Sequence, residues 1–176
     1  MKRFILTGAP GSGKTTLIRA LSDLGHSTVP EAATDVIALV AKLGNPEPWL
    51  RPDFIDKIIT MQRKRQLDAS SGGSLQFHDR SPVCTYALST FLGFSPSGML
   101  LDEMARIERG SVFEKRVFFI ENLGFIEPTK ARRISFEDSL VFEKVHRDTY
   151  QLFGYACVSI APASVSARVR QILTQV

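Results

Sequence analysis

The sequence predicts an α/β fold built on a mainly parallel sheet, and three observations carry that prediction. Short apolar runs of strand length alternate with segments of helical periodicity along the whole chain, the pattern that strand–helix–strand crossovers produce. A glycine-rich loop stands at the first strand-to-helix junction. The chain has 176 residues, enough for one domain with its own core, so residues 1–176 read as a single domain.

The elements follow in order. Phe4-Ile5-Leu6 is a short apolar run suited to a strand buried on both faces. Gly8 to Gly13 is the glycine-rich loop. From Lys14 the pattern turns helical, with Leu17, Ala20, Leu21 and Leu24 at i, i+3, i+4 and i+7, and Gly25 stops it. Ser27 to Pro30 predicts a second strand, and Glu31 to Leu43 a helix ended by Gly44. Asn45-Pro46-Glu47-Pro48 predicts loop, because proline blocks regular structure. Pro52 opens the next helix at its first turn, which runs to about Leu67 and ends basic at Arg63-Lys64-Arg65.

Ser70-Ser71-Gly72-Gly73-Ser74 is a connection, and Leu75 to His78 a third strand followed by Asp79-Arg80-Ser81. Ser81 caps a helix with Pro82 at its first position, and Val83, Ala87 and Phe91 line one face. Met99 to Glu108 is another helix, and Arg116 to Ile120 a fourth strand. Glu121 to Arg133 is a loop. A long helix then reaches about Phe153, with Val141, Val145 and Leu152 expected on its inner face and Gly154 as its stop. Tyr155 to Ile160 is the fifth strand. Ala163 to Thr174 closes the series as a helix, with Val165, Val169, Ile172 and Leu173 on one face.

Composition narrows the function classes. The net charge of +4 suits an anionic ligand such as a nucleotide and is too small to argue for nucleic acid, so no nucleic-acid partner is expected. Cys84 and Cys157 stand far apart in no metal-ligand spacing and read as buried or idle thiols in a reducing compartment. No apolar run approaches the ~20 residues of a membrane helix. The apolar stretch after Lys2-Arg3 stops at Thr7-Gly8, short of the ~7–15 residues of a signal core. A cytoplasmic protein without a targeting segment or a membrane span is expected.

Gly8-Ala9-Pro10-Gly11-Ser12-Gly13-Lys14-Thr15 matches G-x-x-x-x-G-K-[ST] in full, with a strand before it and an amphipathic helix after it. The glycines let successive backbone N–H groups curl round a phosphate. The helix that starts at Lys14 points its positive end at the same anion. Lys14 neutralises the β- and γ-phosphates, the Thr15 hydroxyl ligates Mg²⁺, and Thr16 continues the loop toward the nucleotide. The expected cofactors are ATP, with GTP possible, and Mg²⁺.

In a doubly wound sheet the carboxyl ends of neighbouring strands share one crevice. Glu31 after strand two and Asp79 after strand three are therefore expected near the Thr15 magnesium. One carboxylate holds Mg²⁺ and the other takes a proton from an attacking hydroxyl or water. Glu31 also reads as an ordinary acidic residue of a first helical turn. Arg80 reads either as a phosphate or substrate ligand or as an ion-pair partner of these acids. Lys130, Arg132 and Arg133 follow a buried strand and are expected either to close over the nucleotide and stabilise charge on the transferring phosphoryl group or to form a solvated face. His78 reads as a core residue. His26 and His146 carry no pattern. Trp49 reads equally as stacking on an acceptor or packing under the proline-rich loop.

On these motifs, their order and the length, the chain resembles the small P-loop kinase-like ATPases of AAA type related to the nicotinamide riboside kinase domain. Val29-Pro30-Glu31, Asp79-Arg80-Ser81, the basic segment and the ending Tyr150, Gly154-Tyr155, Pro162, Val165 and Arg168-Val169 carry the likeness beyond the phosphate loop. The resemblance implies the three-layer P-loop NTPase fold, a five-stranded parallel sheet in the order 2-3-1-4-5 with helices on both faces. It implies a lid near residues 128–135 and a nucleotide base near Pro162. Deoxynucleoside kinases are similar in carrying a Glu after strand two and an acid-Arg-Ser element after strand three. That likeness implies Glu31 as general base, Asp79 as the Mg²⁺-associated acid and Arg80 as a substrate or phosphate ligand.

The leading function is transfer of the γ-phosphoryl of ATP to a small hydroxylated molecule, nucleoside-like or antibiotic, by a monomer or homodimer. The alternative is a nucleotide-dependent binding module or switch; the absence of an N-K-x-D guanine motif argues against a standard GTPase. A ring ATPase subunit is the weakest reading.

Overall fold

The computed structural model describes residues 1–69, 73–123 and 134–176. Five strands are β1 (Lys2–Thr7), β2 (Ser27–Val29), β3 (Leu75–Asp79), β4 (Arg116–Ile120) and β5 (Ala156–Ile160). The helices are α1 (Lys14–Asp23), α2 (Ala33–Lys42), α3 (Asp53–Asp68), α4 (Pro82–Phe91), α5 (Gly98–Arg109), α6 (Phe136–Leu152) and α7 (Val165–Leu173). All strand pairs are parallel, in the order β2-β3-β1-β4-β5.

The two-residue period of β1 sorts its side chains between two layers. Phe4 and Leu6 face α1 and α7, packing with Leu17, Leu21, Val169 and Ile172. Ile5 faces the other side, packing with Ile55 and Ile59 of α3, Val83 of α4, Leu100 of α5 and Tyr150 of α6. A smaller cluster joins Val36 and Val40 of α2 to Phe54 and Ile58 of α3. From Phe4 in β1 and from Val117 in β4 the side chains are buried on both faces, which is why Phe4-Ile5-Leu6 and Val117-Phe118-Phe119-Ile120 are continuously apolar.

The register sets up the site. Leu6 pairs with Asp79, and Val29 with His78, so β1, β2 and β3 end on one row. The phosphate loop, Glu31 and Arg80 all leave the sheet from that row.

Four local expectations are corrected. Pro48–Leu50 forms one 3₁₀ turn where the prolines predicted only loop, since Pro48 at its first position needs no donor. The helix predicted from Glu31 begins at Ala33, leaving Glu31 outside it. Arg65, read as part of an exposed helix end, folds back to donate to the Pro30 and Glu31 carbonyls and to the Asp35 carboxylate. In α6 the inner stripe is Phe142, His146, Thr149 and Tyr150, while Val141 and Leu152 are 56% and 73% exposed. There aromatic bulk and a satisfied imidazole outcompeted aliphatic spacing.

Candidate active site

All three loop glycines have positive φ: Gly8 at 128°, Gly11 at 83° and Gly13 at 86°. At Gly8 a Cβ would collide with the Ile120 carbonyl oxygen, so β4 is free to pass close under the loop only because this residue has no side chain. Ala9 and Ser12 are buried, while Pro10, Gly11, Gly13, Lys14, Thr15 and Thr16 line a cavity of about 550 Å³. Gly13 caps α1, so the first free N–H groups of that helix face the same space.

Lys14 is buried and donates to the Ala9 carbonyl at 2.7 Å and the Ser12 hydroxyl at 3.1 Å. Burial, helped by the nearby Arg80 charge, pushes its ammonium down to about 7 against the pull of Asp79 and Glu31. A lysine held this way gains from the arrival of an anion. The Thr15 hydroxyl donates to Asp79 Oδ2 at 2.9 Å. Burial and the neighbouring Glu31 push the Asp79 carboxyl up, opposed by Lys14 and Arg80. Asp79 Oδ1 is buried and has no hydrogen-bond partner.

Glu31 is held from two sides. Arg80 Nε donates to Oε1 at 2.7 Å, and the Thr34 hydroxyl donates to Oε2 at 2.8 Å. Burial raises its carboxyl, but Arg80, Lys14 and Thr34 together outweigh that and hold it below the usual range. Glu31 is therefore an ionised carboxylate facing the cavity.

Arg80 has φ of 74°, a left-handed conformation uncommon for a residue with a side chain. Its backbone N–H donates to the Leu6 carbonyl at 3.0 Å, and its guanidinium reaches His146 Nε2 at 3.2 Å as well as Glu31. His146 Nδ1 lies 2.9 Å from the Phe142 carbonyl, which only accepts. The proton is thus on Nδ1, and Nε2 offers its lone pair to Arg80. Burial, then the Arg80 charge, keeps this imidazole neutral, far below its ordinary value.

The structure brings together Gly8 through Thr16, Glu31, Asp79 and Arg80. Pro162 is exposed in the β5–α7 connection and is not among the cavity's walls. Lys130, Arg132 and Arg133 lie outside the described residues, as does most of the segment expected as a lid. The site roles of two residues escaped the sequence reading, which gave His146 no pattern and Arg168 only a part in the family likeness. His146 is completely buried against Arg80, and only its place on the inner stripe of α6 hints at it. Arg168 is 3% exposed and donates from Nη1 to the Ser12 carbonyl at 3.0 Å and from Nη2 to the Glu121 carbonyl at 3.4 Å. It fixes the phosphate loop from α7, across 156 positions of sequence. Trp49 both lines the cavity and packs against the α2–α3 cluster.

The fold has solved counterparts. A crystal structure of NadR protein in complex with NAD and AMP-PNP matches with a TM-score of 0.71 at 15% identity, over 98% of this chain and 49% of that one. The chain thus spans about half the length of the NadR structures it matches. A deoxyadenosine kinase from M.mycoides with bound dATP matches at 0.60 and 12% identity, over 99% and 98% of the two chains. Shikimate kinase from Acinetobacter baumannii, in complex with shikimate, matches at 0.63 and 14%, over 99% and 92%. At these identities the likeness establishes the three-layer P-loop fold. No curated protein matches the chain in sequence. A family model described as an AAA domain matches residues 3–168, nearly the whole length, and with its complete phosphate loop at the head of that match the chain belongs to the AAA domain family.

Proposed function

We propose that this protein is an ATP- and Mg²⁺-dependent phosphotransferase acting on a small hydroxylated molecule. One observation carries the reading: a single cavity is walled by the phosphate loop at one end, with an ionised, unusually well-held carboxylate, Glu31, beside it. A binding module needs the first of these and has no use for the second. The NadR protein was solved with AMP-PNP and the deoxyadenosine kinase with dATP, which supports a nucleotide at the loop. The shikimate kinase was solved with shikimate, which supports a small hydroxylated acceptor. Nucleoside-like compounds and antibiotics are the acceptor classes the sequence suggests.

The residues fit a magnesium ion. The Thr15 hydroxyl and Asp79 Oδ2 lie 2.9 Å apart, and the orphaned Asp79 Oδ1 offers an oxygen with no competing partner. These hard oxygen donors suit an ion that keeps much of its water and takes the rest of its shell from phosphates. When bound, Mg²⁺ supplies charge neutralisation at the phosphates.

The chain's own groups do the remaining work. Loop N–H groups and Lys14 hold the β- and γ-phosphates. Glu31 takes the proton of the acceptor hydroxyl as its oxygen bonds to the γ-phosphorus, the bond to the bridging oxygen breaks, and ADP leaves. Arg80 orients Glu31 and presents its remaining N–H to the reacting phosphoryl oxygens. Lys130, Arg132 and Arg133 close over the nucleotide and stabilise charge in transfer.

ADP release from ATP–Mg²⁺, with GTP as the alternative donor, tests this across nucleosides, vitamins and antibiotics with Lys14→Ala as blank. Stimulation by an acceptor is expected. Nucleotide binding with a flat response to every acceptor would favour the switch instead. Removing Arg132 and Arg133 together is expected to slow transfer more than it weakens nucleotide binding; no change in either would make the basic segment a solvated surface.

A further inference from the structure

The cavity extends well past the reacting groups. From Glu31 and Arg80 it continues between α2, the 3₁₀ turn, α3, α4 and α6. Its walls there are carbon: Ile37, Phe54, Ile58, Leu88, Phe91 and Phe142. The Phe91 and Phe142 rings lie 4.6 Å apart, inclined at 34°, and form one continuous aromatic surface. Gln62 and Thr85 interrupt this wall, the Thr85 hydroxyl donating to Gln62 Oε1 at 3.0 Å, a bond that engages neither of the two Gln62 amide N–H groups, and Thr34, Trp49 and Cys84 also line the cavity.

Among the described residues, the charged groups lining the cavity are Lys14, Glu31, Arg80 and Asp138. Lys14 belongs to the phosphate loop, and Glu31 and Arg80 are bonded to each other. Asp138 sits in the first turn of α6, is exposed, and accepts from the Ser135 hydroxyl at 2.8 Å. Among the described residues, the helix-walled half therefore offers an ionised group only the exposed Asp138 carboxylate and a polyfunctional polar group few partners. A buried polar atom left without a partner weakens binding by roughly five- to a hundredfold. A nucleobase, with several ring nitrogens and exocyclic groups, would leave more than one such atom here. An apolar ring leaves none, and the cavity's volume suits a small drug-sized molecule.

We infer that the acceptor is an uncharged alcohol carried on an apolar ring body, the ring filling the helix-walled half and the hydroxyl reaching Glu31. This rests on the phosphotransferase reading and narrows it. In the transfer the alcohol oxygen bonds to the γ-phosphorus, the hydroxyl proton passes to Glu31, and the bond to the bridging oxygen of ATP breaks to release ADP.

The test separates binding from transfer. Naphthalenemethanol serves as the probe, with cytidine, shikimate and choline as polar, anionic and cationic alcohols. Affinity is read by calorimetry in the presence of AMP-PNP, and transfer by ADP release with ATP. The expected result is affinity for naphthalenemethanol at least tenfold above the other three, with ADP release following it. Leu88→Asn and, independently, Ile37→Asn should each weaken the probe about tenfold while leaving AMP-PNP affinity unchanged, which also shows that the variants fold. Tight binding of the probe, lost in both variants but without ADP release, would uphold the ligand class and overturn the phosphotransferase reading. Preference for cytidine, shikimate or choline, or failure of all four to bind, would overturn the inference. ADP release that tracks one of those three would do so while leaving the phosphotransferase reading in place.

Discussion

Arg80 holds its unusual backbone because three partners over-determine it: the Leu6 carbonyl, the Glu31 carboxylate and the His146 ring. A non-glycine residue in this region costs on the order of 1–3 kcal/mol, and such strain gathers where geometry serves a reaction. The return here is a guanidinium that keeps Glu31 ionised and aimed. Glu31→Gln keeps the shape and removes the base. Turnover in that variant is expected to fall by about 10²–10⁴-fold with nucleotide affinity unchanged, measured by acceptor-stimulated ADP release and by calorimetry. Full activity would move proton removal to Asp79 or to water. His146→Phe withdraws the lone pair that Arg80 Nη1 faces. Hydrogen bonds to charged groups are worth about 1.5–3 kcal/mol, so urea denaturation should show a loss of that order, with Glu31-dependent turnover falling as well. A phenylalanine variant as stable and active as the parent would mean that Arg80 needs no imidazole.

Strands and helices were largely legible because each buries a face whose period is written in the residues. The apolar runs at Phe4-Ile5-Leu6 and Val117-Phe118-Phe119-Ile120 became β1 and β4, two of the three inner strands, and Pro82 marked the start of α4. The failures have one physical character. The inner stripe of α6 is built on Phe142, His146 and Tyr150, and no aliphatic pattern announces a buried imidazole. Arg65 at the end of α3 reads as part of an exposed basic helix end and Arg168 in α7 only as part of the family likeness, yet each reaches back to carbonyls far away in sequence. Periodicity reports which face is buried and is silent on where a long polar side chain ends. At the element scale the phosphate loop is the tightest constraint, because β4 runs directly beneath Gly8. Gly8→Ala introduces a Cβ against the Ile120 carbonyl at φ of 128°. Overpacking alone costs typically about 1–3 kcal/mol, and the disfavoured φ adds to it. The midpoint of urea unfolding should fall accordingly. An unchanged midpoint would show that the loop moves aside, and nucleotide affinity would then be the quantity that falls.

Across the whole molecule, the acids and the phosphate loop were foreseeable because strand ends in a parallel sheet converge, whereas the Glu31–Arg80–His146 chain needed three elements to be placed in space. The same packing makes the fold sensitive to acid. His78 lies on β3 with its ring edge-on to Phe113, and burial, reinforced by the Arg3 charge, pushes it down to about 3. His146 is driven well below its ordinary value by burial, then by Arg80, against the opposing bond to the Phe142 carbonyl, with Lys14 adding to the depression. In the unfolded chain both rings return to about 6.5. Below that value the unfolded chain binds protons that the folded one refuses, so stability is complete above about 6.5 and declines as pH falls toward the folded values. Asp79 and Glu143, whose carboxyls burial pushes up, work in the opposite sense, since folding favours their protonated forms. That opposition offsets part of the histidine effect, so the difference between the parent and a histidine variant isolates the imidazole contribution. Between about pH 6 and pH 5 each histidine should therefore raise the unfolding constant by up to about tenfold, and both together by up to about a hundredfold. Urea unfolding at a series of pH values reads this directly, and His146→Gln should remove about half of the logarithmic slope. A His146→Gln profile with the same slope as the parent from pH 7 to pH 5 would mean that water reaches this ring in the folded protein, and the buried, neutral His146 that accepts from Arg80 would have to be abandoned.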